Sequence, residues 1–195
     1  MKLEHADKSR RFTQRLLNDF STALFELLRE KKLESVTVAE LCAKASYPRS
    51  TFYNYFEDIY ALTDYCWDFI CAQMKLDEFR AIDHGERTLE LFGRVYDYLE
   101  EHRGAIGKLL EHNRAEGALA LSLDRAVRRT ISEMVNGCEL ASKYPVPADI
   151  MAQHYGNTVQ MILSACFRDE AITKQEAMTY LDFLLGTLEK ANAPE

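Results

Sequence analysis

Apolar residues recur every three or four positions along most of the chain, which is the spacing of residues on one face of an α-helix. The first such stretch predicts a long helix over about 8–31, with the apolar stripe Phe12, Leu16, Phe20, Leu24, Leu27 and Leu28. Similar stretches predict helices over about 38–44, 49–56, 57–79, 86–101, 105–112, 119–141, 148–168 and 174–190. No stretch alternates apolar and polar residues as a β-strand would. The pattern therefore predicts an all-α fold of about nine helices.

The second and third helices are predicted to form a helix-turn-helix. Thr37 is followed three residues later by Glu40, the pattern of a capping box at a helix start. Pro48 suits the first turn of the next helix, and Ala45–Tyr47 form a short connector that leads to it. The residues spaced to pack inward are Val38, Leu41, Cys42, Phe52 and Phe56, and those left outward are Arg49, Ser50, Tyr53, Asn54 and Tyr55.

The outward residues carry chemistry that suits DNA. Hydroxyl and amide side chains bind phosphate oxygens or base edges, and arginine can bind guanine with two hydrogen bonds. Two tyrosines near Arg49 that faced only solvent would expose large apolar rings to water without any gain, which favours a binding role for them. A short helix pair with surface tyrosines also occurs in many helical proteins that bind no DNA, so the spacing leaves both interpretations open.

Composition favours a protein without a membrane span. Apolar residues make up 47% of the 195 residues and charged residues 28%, as in ordinary globular proteins. No run of about 18 apolar residues occurs, and the first twelve residues lack the apolar core of a signal peptide. We therefore expect a cytoplasmic location, and the five scattered cysteines are expected to be reduced, packed thiols.

Charge is distributed unevenly along the chain. Residues 1–56 carry ten Lys and Arg against seven Asp and Glu, a net charge of +3. The rest of the chain has a net charge of −10, which gives −7 for the whole. A basic N-terminal segment on an acidic remainder favours a polyanionic partner at that end.

Enzyme functions are disfavoured by the motifs that are missing. The sequence contains no Gly-rich phosphate loop, no HExxH and no paired CxxC. Cys66 and Cys71 are five residues apart, so on a helix they point to different faces. We predict no catalytic residues, no metal and no cofactor.

The segment from Val36 to Leu62, VTVAELCAKASYPRSTFYNYFEDIYAL, resembles the DNA-binding domain of TetR-family transcriptional regulators. The close match covers about 8–62, and the remainder agrees in length and helix count. The resemblance implies a helix-turn-helix domain over 1–57 and a C-terminal effector-binding and dimerisation domain over 58–195. It implies a homodimer that binds palindromic double-stranded DNA, acts as a repressor, and is released by a small-molecule effector.

The resemblance also implies roles for individual residues. Thr37 would contact the DNA backbone, and Arg49 and Ser50 would lie near base edges in the major groove. Phosphate contacts are implied for Thr51, Asn54 and Tyr55, with Tyr53 between bases and backbone. The basic residues before and at the start of the first helix would add attraction to the duplex; they are Lys2, Lys8, Arg10 and Arg11.

Three positions depart from the family pattern. Ser46 replaces the usual turn glycine, so the turn is expected to hold a non-glycine residue at positive φ. Pro48 replaces a common serine cap, and Ile59 stands where many members have a lysine that binds phosphate. The alternative to a DNA-binding regulator is therefore a TetR-like helical module that binds DNA weakly and acts mainly through a protein partner.

Two sets of residues are predicted in the C-terminal region. Effector-lining candidates are Tyr65, Cys66, Phe69, Phe92, Tyr96, His112, Met134 and Tyr155, and for each the other interpretation is ordinary core packing. Dimerisation candidates on the last two helices are Met151, Tyr155, Ile162, Ala177, Leu181, Leu184 and Leu188. For these the alternative is packing of the same stripes within one chain.

Overall fold

The computed structural model describes residues 11–82, 84–114, 116–137, 145–168 and 172–191, and of residues 84, 168 and 187–191 it describes the backbone only. Within these ranges the chain forms nine α-helices and no β-strand, which confirms the predicted fold class. In chain order the helices are α1 (Arg11–Leu28), α2 (Val38–Ala45), α3 (Arg49–Tyr53), α4 (Ile59–Gln73), α5 (His84–Glu101), α6 (Arg103–His112), α7 (Ala118–Asn136), α8 (Ala148–Arg168) and α9 (Lys174–Ala191).

The chain divides into two units that are not continuous in sequence. The first, here called the head unit, extends to Ile70 and also includes 103–124, so it contains α6 and the first turns of α7. The second, here called the body unit, comprises 71–102 and the chain from Arg125 onward. The functional boundary that we predict at residue 57 stays a prediction.

The head unit is built around the apolar face of α1. Leu16, Phe20 and Leu24 have no exposed surface, and they pack with apolar residues of α2, α3 and α4. Phe12, which begins the predicted stripe, is 64% exposed. The long amphipathic helix is therefore the element on which the two short helices are assembled.

The body unit has its own core, formed by α5, α8 and α9. Phe92 of α5 lies against Ile162 and Cys166 of α8 and against Leu181 of α9, and all four are almost fully buried. Lys174 at the start of α9 donates to both carboxylate oxygens of Asp97 on α5, each at 2.7 Å. Apolar burial supplies most of the stability of such a unit.

Helix α4 ends earlier than its sequence pattern predicts. It stops at Gln73, and Lys75 then adopts a left-handed conformation with φ of 53°. Leu76 and Phe79 continue the apolar spacing, but they lie in a 3₁₀ turn, Leu76–Ala81, where a spacing of three also keeps residues on one side. The carbonyl of Lys75 accepts a hydrogen bond from Arg94 at 2.7 Å. The apolar pattern alone could not separate these two kinds of helix.

Two other sequence predictions concern the described residues. Cys42, Cys66 and Cys166 are buried thiols, as predicted, and Cys71 is a half-buried thiol, whereas Cys138 lies outside the described residues. Within the described ranges, no helix is both long enough and apolar enough to cross a lipid bilayer.

Candidate nucleic-acid interface

Helix α2 begins with the capping box that the sequence predicts. The Thr37 hydroxyl accepts the Glu40 backbone N–H at 3.2 Å, and the Glu40 carboxylate accepts the Thr37 backbone N–H at 3.1 Å. Glu40 also accepts hydrogen bonds from the Thr37 hydroxyl, at 2.8 Å, and from Lys31, at 2.6 Å. These contacts, first the one from Lys31, lower the pKa of Glu40 to about 2.

The same geometry bears on the predicted DNA contact of Thr37. Its side chain is exposed, but its hydroxyl proton is already donated to a carboxylate. A phosphate at this position would have to draw the hydroxyl away from Glu40. The assignment of Thr37 to the DNA backbone remains a prediction.

The turn between α2 and α3 contains the non-glycine residue that the sequence predicts at positive φ. Ser46 has φ of 60° and ψ of 37°, which is the left-handed helical region. Its N–H donates to the Ala43 carbonyl at 3.3 Å, and the next N–H, of Tyr47, donates to the Cys42 carbonyl at 3.0 Å. This pair of hydrogen bonds is a Schellman motif, which ends a helix with one left-handed residue.

The sequence predicts Pro48 in the first turn of α3, but in the structure it lies one position before the first turn. It is the N-cap of α3, with extended backbone angles, and α3 begins at Arg49. Proline offers no side-chain acceptor there, so α3 has no side-chain cap. The helix is also shorter than predicted and ends at Tyr53.

Two phenylalanines fix which side of α3 faces inward. Phe52 is fully buried, and Phe56, just after the helix, is 2% exposed. The ring of Phe20 on α1 meets Phe52 edge-on, with centroids 5.5 Å apart, and meets Phe56 at 6.4 Å. An aromatic cluster of this kind gives a very short helix a defined orientation.

The opposite side of α3 is open to solvent. Arg49, Ser50 and Asn54 are exposed, and Tyr53 is 55% exposed. Thr51 is half-buried. The spacing predicts that Tyr55 faces outward, and this prediction is wrong, because α3 ends at Tyr53 and Tyr55 packs, half-buried, against the head core. The structure therefore places an arginine, a serine, a tyrosine and an asparagine together on one exposed surface, here called the α3 surface.

Arg49 is the cationic member of this surface. Burial raises the pKa of the nearby Cys42 thiol, and the positive charge of Arg49 opposes this effect. Two other cations of the head are already engaged: Lys31 binds Glu40, and Lys44 lies 3.4 Å from Glu26. Arg49 therefore supplies charge at the α3 surface that these ion pairs do not neutralise.

The start of α4 differs from the family pattern in charge as well as in shape. Ile59 is 6% exposed and belongs to the head core, so the position of the usual lysine holds a packed side chain. Asp58 caps α4 by accepting the Ala61 N–H at 2.8 Å, and Glu57 beside it is also exposed. The start of α4 thus lacks the cation and has two exposed carboxylates just before it in the sequence.

The predicted basic arm is described only at its end. Arg11 is the first described residue and is exposed at the start of α1. Lys2, Lys8 and Arg10 lie outside the described residues.

The sequence missed a set of polar contacts that join α6 and α7 to the helix-turn-helix. Asn113, just after α6, is 4% exposed and binds backbone groups around the end of α1. Glu34 accepts the Ala118 N–H at the start of α7, at 2.8 Å, and this contact lowers the pKa of Glu34. The sequence gives no sign of these contacts, because the partner of Asn113, Leu33, is 80 residues away in the chain.

A third contact of this kind joins α7 to α4. Ser122, which is fully buried, accepts the Trp67 indole N–H at 3.0 Å and donates to the Asp64 carboxylate at 3.0 Å. A buried hydroxyl with both a donor and an acceptor partner is satisfied, and it specifies one arrangement of the two helices. Asn113, Glu34 and Ser122 are here called the α6–α7 contacts.

The predicted effector residues are divided between the two units. Tyr65, Cys66, Phe69 and His112 belong to the head unit, where Cys66 is buried in the core and His112 is exposed. Phe92, Tyr96, Met134 and Tyr155 belong to the body unit. There Phe92 and Tyr96 are core residues, and Tyr155 packs against them. For Cys66, Phe92 and Tyr96 the structure has the packed-core arrangement that was the alternative interpretation.

Two open grooves are described, and neither is lined by these residues. One, of about 500 Å³, lies in the body unit among polar side chains that include Arg80, Arg129 and Glu133. The other, of about 460 Å³, lies in the head unit between α1 and the turn at Ser46–Tyr47. Among the described residues, no three His, Cys, Asp or Glu side chains are grouped so as to hold a metal ion.

Four residues of the predicted dimerisation stripes have the alternative arrangement, which is packing within one chain. Met151, Ile162, Ala177 and Leu181 are each no more than 6% exposed. Their role in dimerisation stays a prediction. Tyr155 is half-buried against the same core, Leu184 is 40% exposed, and the Leu188 side chain lies outside the description. Among the described residues of α8 and α9, the large apolar side chains that are exposed include Leu184 of the predicted set and four others. These five are here called the α8–α9 surface: Ile150, Met161, Tyr180, Phe183 and Leu184.

Comparison with known proteins identifies solved structures of similar fold. No family model matches the chain, and no curated protein matches it. Among solved structures, one similar chain is described as a candidate fatty acid metabolism regulator of Clostridium perfringens; its TM-score is 0.55 at 16% identity, with 86% of this chain and 97% of that chain covered. Another is NalD of Pseudomonas aeruginosa, described as the secondary repressor of the MexAB-OprM multidrug efflux pump; its TM-score is 0.58 at 13% identity, with 93% and 99% covered.

At these identities the likeness establishes the fold. The chain has the all-helical fold of these two bacterial regulators along nearly its whole length. The all-α fold that the sequence predicts is thereby confirmed.

Proposed function

We propose that this protein is a TetR-family transcriptional regulator that binds double-stranded DNA through the α3 surface. The observation that carries the proposal is the exposure of Arg49, Ser50, Tyr53 and Asn54 on a helix whose other side is anchored by Phe52. A helix held in this way at the end of a helix-turn-helix can enter a major groove and present its side chains to base edges. The likeness of fold to two proteins described as regulators supports this proposal.

The proposal includes a homodimer formed by the α8–α9 surface. Phe183 is 77% exposed and Met161 55% exposed, although both lie on helices that are otherwise packed. Exposed apolar side chains grouped on two helices are typical of a protein interface. A two-fold dimer would present two α3 surfaces to the half-sites of a palindromic operator.

The proposal also includes repression that a small-molecule effector releases. The α6–α7 contacts support this part because they join α6 and α7 to the end of α1 and to α4. A shift of α6 or α7 would therefore displace the elements that hold α3. Native mass spectrometry of the purified protein would identify a bound molecule, and that molecule is expected to lower the affinity for DNA. The effector part fails if no compound that binds the protein changes its DNA affinity.

A cytoplasmic location and the lack of catalytic activity belong to the same proposal. DNA in a bacterial cell is cytoplasmic, and the proposed chemistry is binding alone. We propose no cofactor and no metal.

A second function is favoured by the start of α4. The buried Ile59 stands in place of a phosphate-binding cation, and the two residues before it, Glu57 and Asp58, are exposed carboxylates. Like charges beside a phosphate backbone weaken binding. The alternative is a TetR-like helical module that acts mainly through a protein partner.

A gel-shift experiment separates the two functions. The purified protein is mixed with the intergenic DNA upstream of its own gene at low salt, with an equal length of unrelated DNA as competitor. A regulator gives a shift that unrelated DNA does not abolish. The absence of a specific shift, together with a protein that co-purifies stoichiometrically, would favour the partner-binding alternative.

A further inference from the structure

The residue that follows the left-handed turn, Tyr47, is held by three separate contacts. Its backbone N–H closes the Schellman motif on the Cys42 carbonyl at 3.0 Å. Its ring lies 5.3 Å, centroid to centroid, from the ring of Phe20 on α1. Its hydroxyl donates to the Asp19 carboxylate of α1 at 2.8 Å. Tyr47 thus connects the turn directly to the longest helix of the head unit.

These contacts matter because α3 cannot determine its own position. The helix has five residues, and isolated helices shorter than about twelve residues are unstable in water. Its N-cap, Pro48, makes no side-chain cap. The helix is therefore positioned by the turn before it, at Tyr47, and by the buried rings of Phe52 within it and Phe56 after it.

The turn itself is disfavoured by its sequence. A residue with a side chain in the left-handed region is less stable there than glycine, and Ser46 occupies that region. Contacts on the next residue can offset this cost. The hydroxyl of Tyr47 is a good candidate because a hydrogen bond to a carboxylate is stronger than one between neutral groups.

We propose that Tyr47 is a positioning residue for DNA recognition, and that its hydroxyl bond to Asp19 sets the orientation of α3 relative to α1. This inference rests on the proposed function, because it assigns a role in DNA reading. Tyr47 itself touches no DNA in this proposal. It acts by holding the N-terminal flank of α3 while the phenylalanines hold the other.

The protonation state of the Tyr47 hydroxyl is consistent with this role. The hydrogen bond to Asp19, followed by burial, raises the pKa of the Tyr47 hydroxyl. The hydroxyl therefore keeps its proton, and remains a donor, throughout the neutral range.

The test uses two variants that each delete one side of the bond, Tyr47→Phe and Asp19→Ala. Tyr98→Phe is the matched control, because it also removes a half-buried tyrosine hydroxyl but lies on α5 in the body unit. The probe is a duplex selected by the full-length wild-type protein from a random DNA library. Fluorescence anisotropy gives Kd for this duplex and for unrelated DNA, and the ratio of the two measures specificity.

We expect each head variant to lower the specificity ratio by at least roughly 10-fold, the lower end of the range for loss of one charge-assisted hydrogen bond. The double variant is expected to lose no more than the larger single loss, because both changes remove the same bond. Tyr98→Phe is expected to leave the ratio unchanged. An unchanged ratio in Tyr47→Phe, or additive losses in the double variant, would overturn the inference.

Hydrogen exchange supplies a readout that does not depend on DNA. The Phe56 amide donates to the Phe52 carbonyl at 2.9 Å, so it reports on the order of α3. The exchange of this amide is expected to be faster in Tyr47→Phe than in the wild-type protein, while the melting temperatures of the two proteins are the same. If the amide exchanges at the same rate in both proteins, the positioning role is overturned. If wild type selects no duplex while exchange does accelerate, the proposed function fails and the structural role of Tyr47 stands by itself.

Discussion

The side-chain oxygen of Asn113 accepts a hydrogen bond from the backbone N–H of Leu33, 80 residues earlier in the chain, at 2.9 Å. The amide nitrogen of Asn113 donates to the carbonyls of Leu28 and Leu109, each at 3.0 Å. One buried side chain thus satisfies backbone groups at the end of α1, in α6 and in the 3₁₀ turn Leu33–Ser35 that follows α1. It joins the helix-turn-helix to a helix that the sequence assigns to the C-terminal region.

Replacing Asn113 by alanine is expected to destabilise the head unit by about 2–4 kcal/mol, because buried backbone groups are left without partners. Urea unfolding followed by Trp67 fluorescence measures this, since Trp67 is the only tryptophan and lies in the head unit. Asn157→Ala, at an exposed position on α8, is the control and is expected to change stability by less than about 0.5 kcal/mol. Equal stabilities of the two variants would contradict the role given to Asn113.

Replacing Ser46 by glycine is expected to stabilise the protein by about 1 kcal/mol, because the backbone is already in the left-handed conformation that glycine tolerates. Thermal and urea unfolding provide the measurement. The matched control is Ala45→Gly, one residue earlier at the end of α2, where glycine is expected to destabilise by about 0.5–1 kcal/mol. A loss of stability in Ser46→Gly would mean that the serine side chain contributes a contact of its own.

Replacing Arg49 by alanine is expected to weaken binding to the selected duplex by about 1–3 kcal/mol and to relax the preference at one base position. The reason is that Arg49 is exposed on the α3 surface and can bind a base edge with two hydrogen bonds. Anisotropy titrations against duplexes with single base changes reveal which position is relaxed. Lys108→Ala removes the same charge from an exposed position on α6 and should leave the preference intact. A uniform loss over all sequences in Arg49→Ala would assign this residue to phosphate instead.

Replacing Arg11 or Lys8 by alanine is expected to weaken binding to all sequences alike. A contact to phosphate carries no sequence information, and its loss lowers the slope of log K against log salt concentration by about 1. Titrations at several salt concentrations on specific and unrelated DNA measure both effects. A change in base preference would show that the arm reads sequence.

Replacing Phe183 by glutamate is expected to convert a homodimer into monomers without unfolding the chain, because this side chain is 77% exposed within the protomer. Burying a charge in an apolar interface opposes association. Sedimentation velocity gives the oligomeric state, and circular dichroism checks the fold. Leu110→Glu, at a position 59% exposed on α6, is the control and should remain dimeric. If Phe183→Glu sediments as the wild-type dimer does, the α8–α9 surface is not the interface.

Local sequence determined the elements whose causes are local. The capping box of Thr37 and Glu40 and the positive φ of Ser46 were predicted because the interacting groups lie within a few residues of each other. The inward side of α3 was predicted because Phe52 and Phe56 are spaced by one helical turn. Most helix positions followed from apolar periodicity for the same reason, whereas the end of α4 did not, because a spacing of three suits both kinds of helix.

Tertiary packing decided what periodicity leaves ambiguous. A helix with apolar residues on adjoining faces has two candidate buried stripes, and only its neighbours select one. On α8 and α9 the residues buried within the chain include Ile162 and Leu181, and this leaves Met161 and Phe183 outside.

The long-range polar contacts could not be predicted from the sequence either. Asn113, Glu34 and Ser122 are ordinary residues in their local context, and their partners are brought to them only by folding. The sequence by itself therefore determined an all-helical protein with an exposed α3 surface, since both depend on neighbours along the chain. The tertiary structure alone decided which side of α8 and α9 is exposed and how α6 and α7 join the helix-turn-helix, because both depend on residues distant in sequence.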